Sequence, residues 1–158
     1  MTAASPAGPT DLLALFDDLV HLHREVWNGV DVRMRRECGV PAEWYRCVNS
    51  VASRDGSRVA DVATDLVLTI GAAAALVDRV VEAGFVTRGP HPVDGRSSVL
   101  MLGETGERLL TRCRTAIARE IGDGLAGGLT EAGLARFAAM LGHLRQHVPA
   151  VVAPAPPR

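Results

Sequence analysis

Arginine is the only cation of this chain apart from histidine: all 17 Lys+Arg residues are Arg, set against 18 Asp+Glu. Guanidinium groups bind phosphates and read base edges, so where they fall decides what chemistry is open to the protein. Arg54, Arg58, Arg79, Arg88 and Arg96 lie between residues 54 and 98, where Asp55, Asp61, Asp65, Asp78, Glu82 and Asp94 answer them. With a formal net charge of −1 for the whole chain, the balance is not that of a tight non-specific nucleic-acid binder. Arginines gathered on one face would have to compensate. Catalytic and metal chemistry find less support. There is no Gly-x-Ser-x-Gly, no phosphate-binding loop and no dinucleotide fingerprint, which argues for a non-enzyme without cofactor. Cys38, Cys47 and Cys113 show no paired metal spacing. Cys47 and Cys113 fall near apolar helical stripes and read as core thiols. Cys38, beside Arg35 and Arg36, is the candidate for a reactive thiolate. His143 and His147 stand one helical turn apart, but His21 and His23 do not share a face and no third ligand completes a zinc set, so no metal site is assigned.

The elements that must place these arginines are clearest between Gly56 and Leu110. Val59, Val62, Ala63 and Leu66 recur at helical spacing over Arg58 to Leu66. Val67 to Thr69 makes a tight turn, and Thr69 is a good N-cap. A second helix, Ile70 to Ala83, turns Ala73, Leu76, Val77 and Val80 inward and stops at Gly84. Phe85 to Leu102 then reads as two strands, FVTRG and SSVLML, around the turn-rich HPVDGR. Two short helices followed by a hairpin make a winged helix-turn-helix, whose second helix enters a DNA major groove. The fold class is therefore mainly α with a small β-hairpin wing.

The order and spacing of V-A-D-V-A-T-D-L at 59–66, L-V-D-R-V at 76–80, E-A-G-F-V at 82–86, D-G-R-S at 94–97 and G-E-T-G-E-R-L-L at 103–110 resemble the multiple-antibiotic-resistance regulator (MarR) family over roughly residues 11 to 147. The resemblance implies a homodimer with two recognition helices in successive major grooves of a pseudo-palindromic double-stranded DNA. It also implies that Arg96 enters the flanking minor groove, held by Asp94, where it reads groove width rather than bases. The residues read alone also allow a plain turn-stabilising ion pair at 94–96. Arg58, Thr69, Gly71, Arg79, Arg88 and Ser97 are the other candidate polar contacts. In the recognition helix, where relatives carry polar residues, this chain has Ile70-Gly71-Ala72-Ala73-Ala74-Ala75. Ala72, Ala74 and Ala75 can touch a thymine methyl but make no hydrogen bond to a base edge, where a good bidentate contact contributes about 1–3 kcal/mol of discrimination. The alternative is a ligand-binding or protein-interaction module of the same fold that has lost most DNA affinity.

The flanks are expected to build the dimer. Residues 1–10 and the Pro-rich 148–158 read as disordered, leaving one domain over 11–147 with its wing core at 56–103 and dimerisation helices at 11–32 and 104–147. Thr10-Asp11 can cap a helix from Leu12 to about Val32, whose face carries Leu12, Leu15, Phe16, Leu19, Leu22, Val26 and Val30. Arg33 to Glu37 (RMRRE) reads as a solvated basic knot favoured by the helix dipole, ahead of a phosphate contact. Ala42 to Ala52 forms the next helix. Gly103 to Leu125 buries Leu109, Leu110, Cys113, Ile117, Ile121 and Leu125, and the last helix, opening at Thr130-Glu131, shows Leu134, Phe137, Ala138, Leu141 and Leu144. The resemblance implies a small-molecule crevice between these helices and the winged unit. Trp27 and Trp44 would supply aromatic walls and Arg24 and Arg46 an anchoring charge for a small aromatic acid or phenol, although both tryptophans read equally well as core and interface residues. No run of 18 apolar residues and no signal-peptide pattern is present, so a cytoplasmic protein without membrane contact is expected.

Overall fold

The computed structural model describes residues 11–90, 98–124 and 126–147. Six α-helices, one hairpin and a single 3-10 turn follow in the order α1 (Leu12–Cys38), α2 (Ala42–Ala52), α3 (Val59–Leu66), α4 (Ile70–Glu82), β1 (Val86–Pro90), β2 (Ser98–Leu102), α5 (Glu104–Asp123), the 3-10 turn (Ala126–Gly128) and α6 (Glu131–His147). Asp11 caps α1 by accepting from the Leu13 and Ala14 N–H groups. The helix does not end near Val32 as its amphipathic pattern suggested. Met34 and Cys38 extend the buried stripe of Val30 by successive four-residue steps, and Arg33, Arg35, Arg36 and Glu37 are good helix formers. The stop comes at Gly39, which takes φ 76° and returns its N–H to the Met34 and Arg35 carbonyls. That conformation suits glycine and strains most other residues. Pro41, in the capping position of α2, has no N–H and no capping side chain. Asp31 of α1 reaches across instead and accepts from Ala42 N–H at 2.7 Å.

One core joins α2, α3, α4, the wing, α5 and the C-terminal part of α1. Met34, Cys47, Val48, Val62, Ala73, Val77, Val80 and Cys113 are wholly buried in it. The inward face expected of α4 (Ala73, Leu76, Val77, Val80) is the buried set observed. β1 and β2 pair antiparallel with Val86 opposite Leu102 and Arg88 opposite Leu100. Ser57, just before α3, adds a bridge to Leu100, and this ties the helix pair to the hairpin. α5 starts hard against the wing, because a Cβ at Gly106 would overlap the Phe85 carbonyl oxygen and the Leu102 side chain. Its buried residues include Leu109, Leu110, Cys113 and Ala116, while Ile117 and Ile121 are half-buried. Leu125 lies outside the described residues.

Two faces stay open in a single copy. The first half of α1 exposes Leu12, Leu15, Phe16 and Leu19, and α6 buries no residue at all. Among the described residues no single helix is long and apolar enough to cross a membrane.

Candidate nucleic-acid interface

α3 and α4 turn through 110° about the link Val67–Thr69. Asp61, one turn into α3, accepts from the Arg58 N–H at 2.7 Å. The Thr69 hydroxyl oxygen accepts from Ala72 N–H at 3.2 Å and so starts α4 where the sequence placed it. Burial of Ala73, Leu76, Val77 and Val80 then leaves Thr69, Gly71, Ala72 and Ala75 exposed and Ala74 half-buried. The outward half-turns at the start of α4 are thus hydrocarbon, apart from Thr69 and free backbone N–H groups at the helix N-terminus. Ile70 extends this apolar surface; it is 59% exposed.

The arginines around this surface are paired with acids. Arg79 lies 3.3 Å from Glu43 of α2, and its Nε donates to the Ala75 carbonyl. Arg88 of β1 donates to Asp78 of α4 at 2.5 Å. Arg54 donates to Asp65 at 2.8 Å and stands 3.4 Å from Asp61. Asp65 also accepts from the Ser50 hydroxyl at 2.6 Å, and its backbone carbonyl accepts from Arg46. Burial pushes the Asp65 carboxyl upward, but the hydrogen bonds from Ser50 and Arg54 outweigh it and hold the group below its ordinary value. Arg58 is exposed. The candidate contacts Asp94, Arg96 and Ser97 at the wing tip lie outside the described residues. The pairing of Arg79 and Arg88 with Glu43 and Asp78 was not legible in the sequence, because the partners sit 36 and 10 positions away on different elements.

The four candidate ligand-wall residues divide into two places. The Arg46 guanidinium lies 5.8 Å from the Trp27 ring centroid, within the range of a cation–π contact, and His23 stacks on the same Trp27 ring at 6.4 Å. Trp44, on another side of α2, meets Phe85 edge-on at 6.0 Å. Both tryptophans pack against the core, and Arg24 is exposed. A separate hollow of about 280 Å³ lies between α1 and α5, lined by Leu22, Glu25, Val26, Glu120, Ile121 and Gly124; none of the four residues reaches it.

The basic knot at the end of α1 faces acids. Arg33 donates to Glu120 at 2.5 Å and to Asp123 at 2.8 Å, joining α1 to α5, while Arg35 donates to Asp31 and Arg36 to Glu37. All three cysteines are buried and free. Burial, with Glu43 nearby, pushes the Cys47 thiol up to about 11, and burial with the neighbouring Cys38 pushes Cys113 up to about 12. Thiolate is thus disfavoured at both. Among the described residues no three His, Cys, Asp or Glu side chains converge on a metal position.

A hinged helix pair, a two-stranded wing and long flanking helices define a winged helix-turn-helix protein. The fold is that of the MarR-type regulators. A MarR family transcriptional regulator from Streptomyces coelicolor, solved in complex with DNA, aligns over 91% of this chain and 96% of its own with TM-score 0.75 and 16% identity. E. coli MarR in its apo form aligns over 92% and 100% with TM-score 0.71 and 18% identity. CouR from Rhodococcus jostii RHA1, bound to p-coumaroyl-CoA, aligns over 89% and 92% with TM-score 0.68 and 18% identity. No model of a known protein family and no curated protein sequence matches the chain.

Proposed function

We propose that this chain is a homodimeric, DNA-binding transcriptional regulator of the MarR family, acting in the cytoplasm as a repressor rather than as an enzyme. The observation that carries the reading is the α3–α4 pair: a 110° turn, a capped second helix and an exposed outer face, set beside a wing. Two copies would place two α4 helices in successive major grooves, with Arg96 of each wing in the flanking minor groove. The open faces of α1 and α6 supply apolar surface for the second copy. A small aromatic or phenolic ligand near Trp27 and Arg46 would act by binding the DNA-competent and incompetent states with different affinity. The regulators that share the fold, one solved with DNA and one with an aromatic acyl-CoA, support both halves of this reading.

The test is fluorescence anisotropy with DNA from the protein's own upstream region, against scrambled DNA, at two salt concentrations. Tight, sequence-dependent binding that weakens steeply with salt and falls in Arg96→Ala is the expected result. The second reading, a module of the same fold without DNA affinity, is favoured by the pairing of Arg54, Arg79 and Arg88 with carboxylates. Equal, weak binding of both DNAs by a folded dimer without ligand would establish it.

A further inference from the structure

Val67 closes α3 at φ 59° and ψ 49°, the only described residue other than glycine with positive φ. A β-branched side chain in that conformation is a genuine outlier, and glycine would end the helix there without penalty. The fold gives Val67 little packing in exchange, since 66% of the residue is open to solvent. Strain with so little burial to offset it points to a contact outside the chain.

Its surroundings show of what kind. Ile70 (59% exposed), Ala72, Ala75 and half-buried Ala74 continue the apolar surface from the turn onto the outer start of α4. The Thr69 hydroxyl oxygen accepts from the Ala72 N–H and keeps a single O–H to donate, Arg79 is held by Glu43, and Asp78 is held by Arg88. On the edges of base pairs in a major groove, the one apolar group is the C5-methyl. Resting on the DNA-binding reading above, we propose that this protein selects its DNA by the C5-methyl groups of thymine, with Ile70 and Val67 as the specificity-determining side chains and the alanines as close-approach surface. Guanine hydrogen bonds contribute little at this helix. 5-Methylcytosine carries the same group, and the test separates the two sources.

Duplexes are selected from a random-sequence pool by the full-length protein, and each dT of the selected site is then replaced singly by dU, which removes only the methyl. The expected result is T-rich half-sites and about fourfold weaker binding for each contacted methyl removed, the scale of one buried methyl-sized group. Replacing dU by 5-methyl-dC, paired with dG, restores less than dT where the pair change disturbs shape, but it must exceed unmethylated dC by a similar factor. In Ile70→Ala and Val67→Gly the dT-over-dU factor shrinks below about twofold at the facing position, with the salt dependence unchanged because phosphate contacts are untouched. Val67→Gly also melts no lower than wild type, so its lost discrimination is not a folding defect. Selected sites that bind dT and dU duplexes alike overturn the proposal and leave the DNA-binding reading standing. A pool that yields no site, with no binding above random DNA, overturns both.

Discussion

Between Val30 and Cys38, α1 buries Val30, Met34 and Cys38 in the body; from Leu12 to Leu19 the same helix holds Leu12 73% and Phe16 63% exposed. Leu109, Leu110 and Cys113 of α5 are buried, whereas Leu141 and Leu144 of α6, written with the same amphipathic spacing, are not. Periodicity fixes which face of a helix must be covered and is silent about what covers it. The contrast separates a body that one chain completes from an arm pair that it does not. If a second copy covers the arms, folding of the arms and association are one event, and stability becomes concentration-dependent.

The largest expected effect breaks that contrast directly. Phe16→Asp combined with Leu141→Asp puts charges on both open faces and leaves every body residue in place. On the proposed homodimer, sedimentation is expected to show a single chain in place of two. On the proposed DNA-binding role, affinity should fall by about 10²–10⁴-fold as the second copy of α4 is lost. A double variant that stays dimeric would mean that the open faces serve another partner.

Met34→Ala sharpens the other side. Met34 is 0% exposed at the crossing of α1 with the body, and deletion of such a side chain costs about 2–5 kcal/mol. Urea unfolding at fixed protein concentration should record that loss, with the sedimenting species unchanged at low urea. Val67→Gly tests the one residue other than glycine that takes positive φ among the described residues and is expected to gain about 1 kcal/mol by the same measurement, since the left-handed penalty of a side chain disappears. This gain is offset in part by the freer unfolded chain that glycine brings.

Most of the body was legible in the sequence. The Thr69 cap, the buried set of α4 and the limits of α2 follow from local pattern, and local pattern is what those elements obey. The end of α1 was misplaced because the RMRRE run looks like a polar terminus, while Met34 and Cys38 inside and beyond it continue the stripe to Gly39. The reading face was legible in composition but not in charge. Asp78, which holds Arg88, was counted among the neighbouring acids, but Glu43 of α2 lies outside that stretch and nothing local says that it would meet Arg79. Likewise a left-handed Val67 has no sequence mark, for the usual sign of that conformation is glycine or asparagine. Trp27 and Trp44 read either as walls of one crevice or as core and interface residues, and three-dimensional packing sets both against the core, beside Arg46 and Phe85 respectively.

The smallest effect concerns the acid side of stability, and it too belongs to the body. Asp65 joins α2, the following turn and α3 through Ser50 and Arg54, and Asp31 joins α1 to the start of α2. In both, burial works against the charged form, but hydrogen bonds from Ser50 and Arg54, and from Arg35 and the Ala42 N–H, prevail and lower the carboxyl below its ordinary 3.8. A carboxyl depressed in the folded state binds its proton more readily when unfolded. Its contribution is therefore complete above the unfolded value and is lost as pH falls through the lower folded value. Both groups are largely solvent-screened, so each contributes under about 1 kcal/mol. Asp65→Asn should then cost that much in urea unfolding at about pH 6 and almost nothing once the pH is taken below the lowered folded value, where the wild-type carboxyl has itself been neutralised. An equal cost at both pH values would show that Asp65 serves by shape and hydrogen bonding alone, and that its charge does not help join α3 to α2.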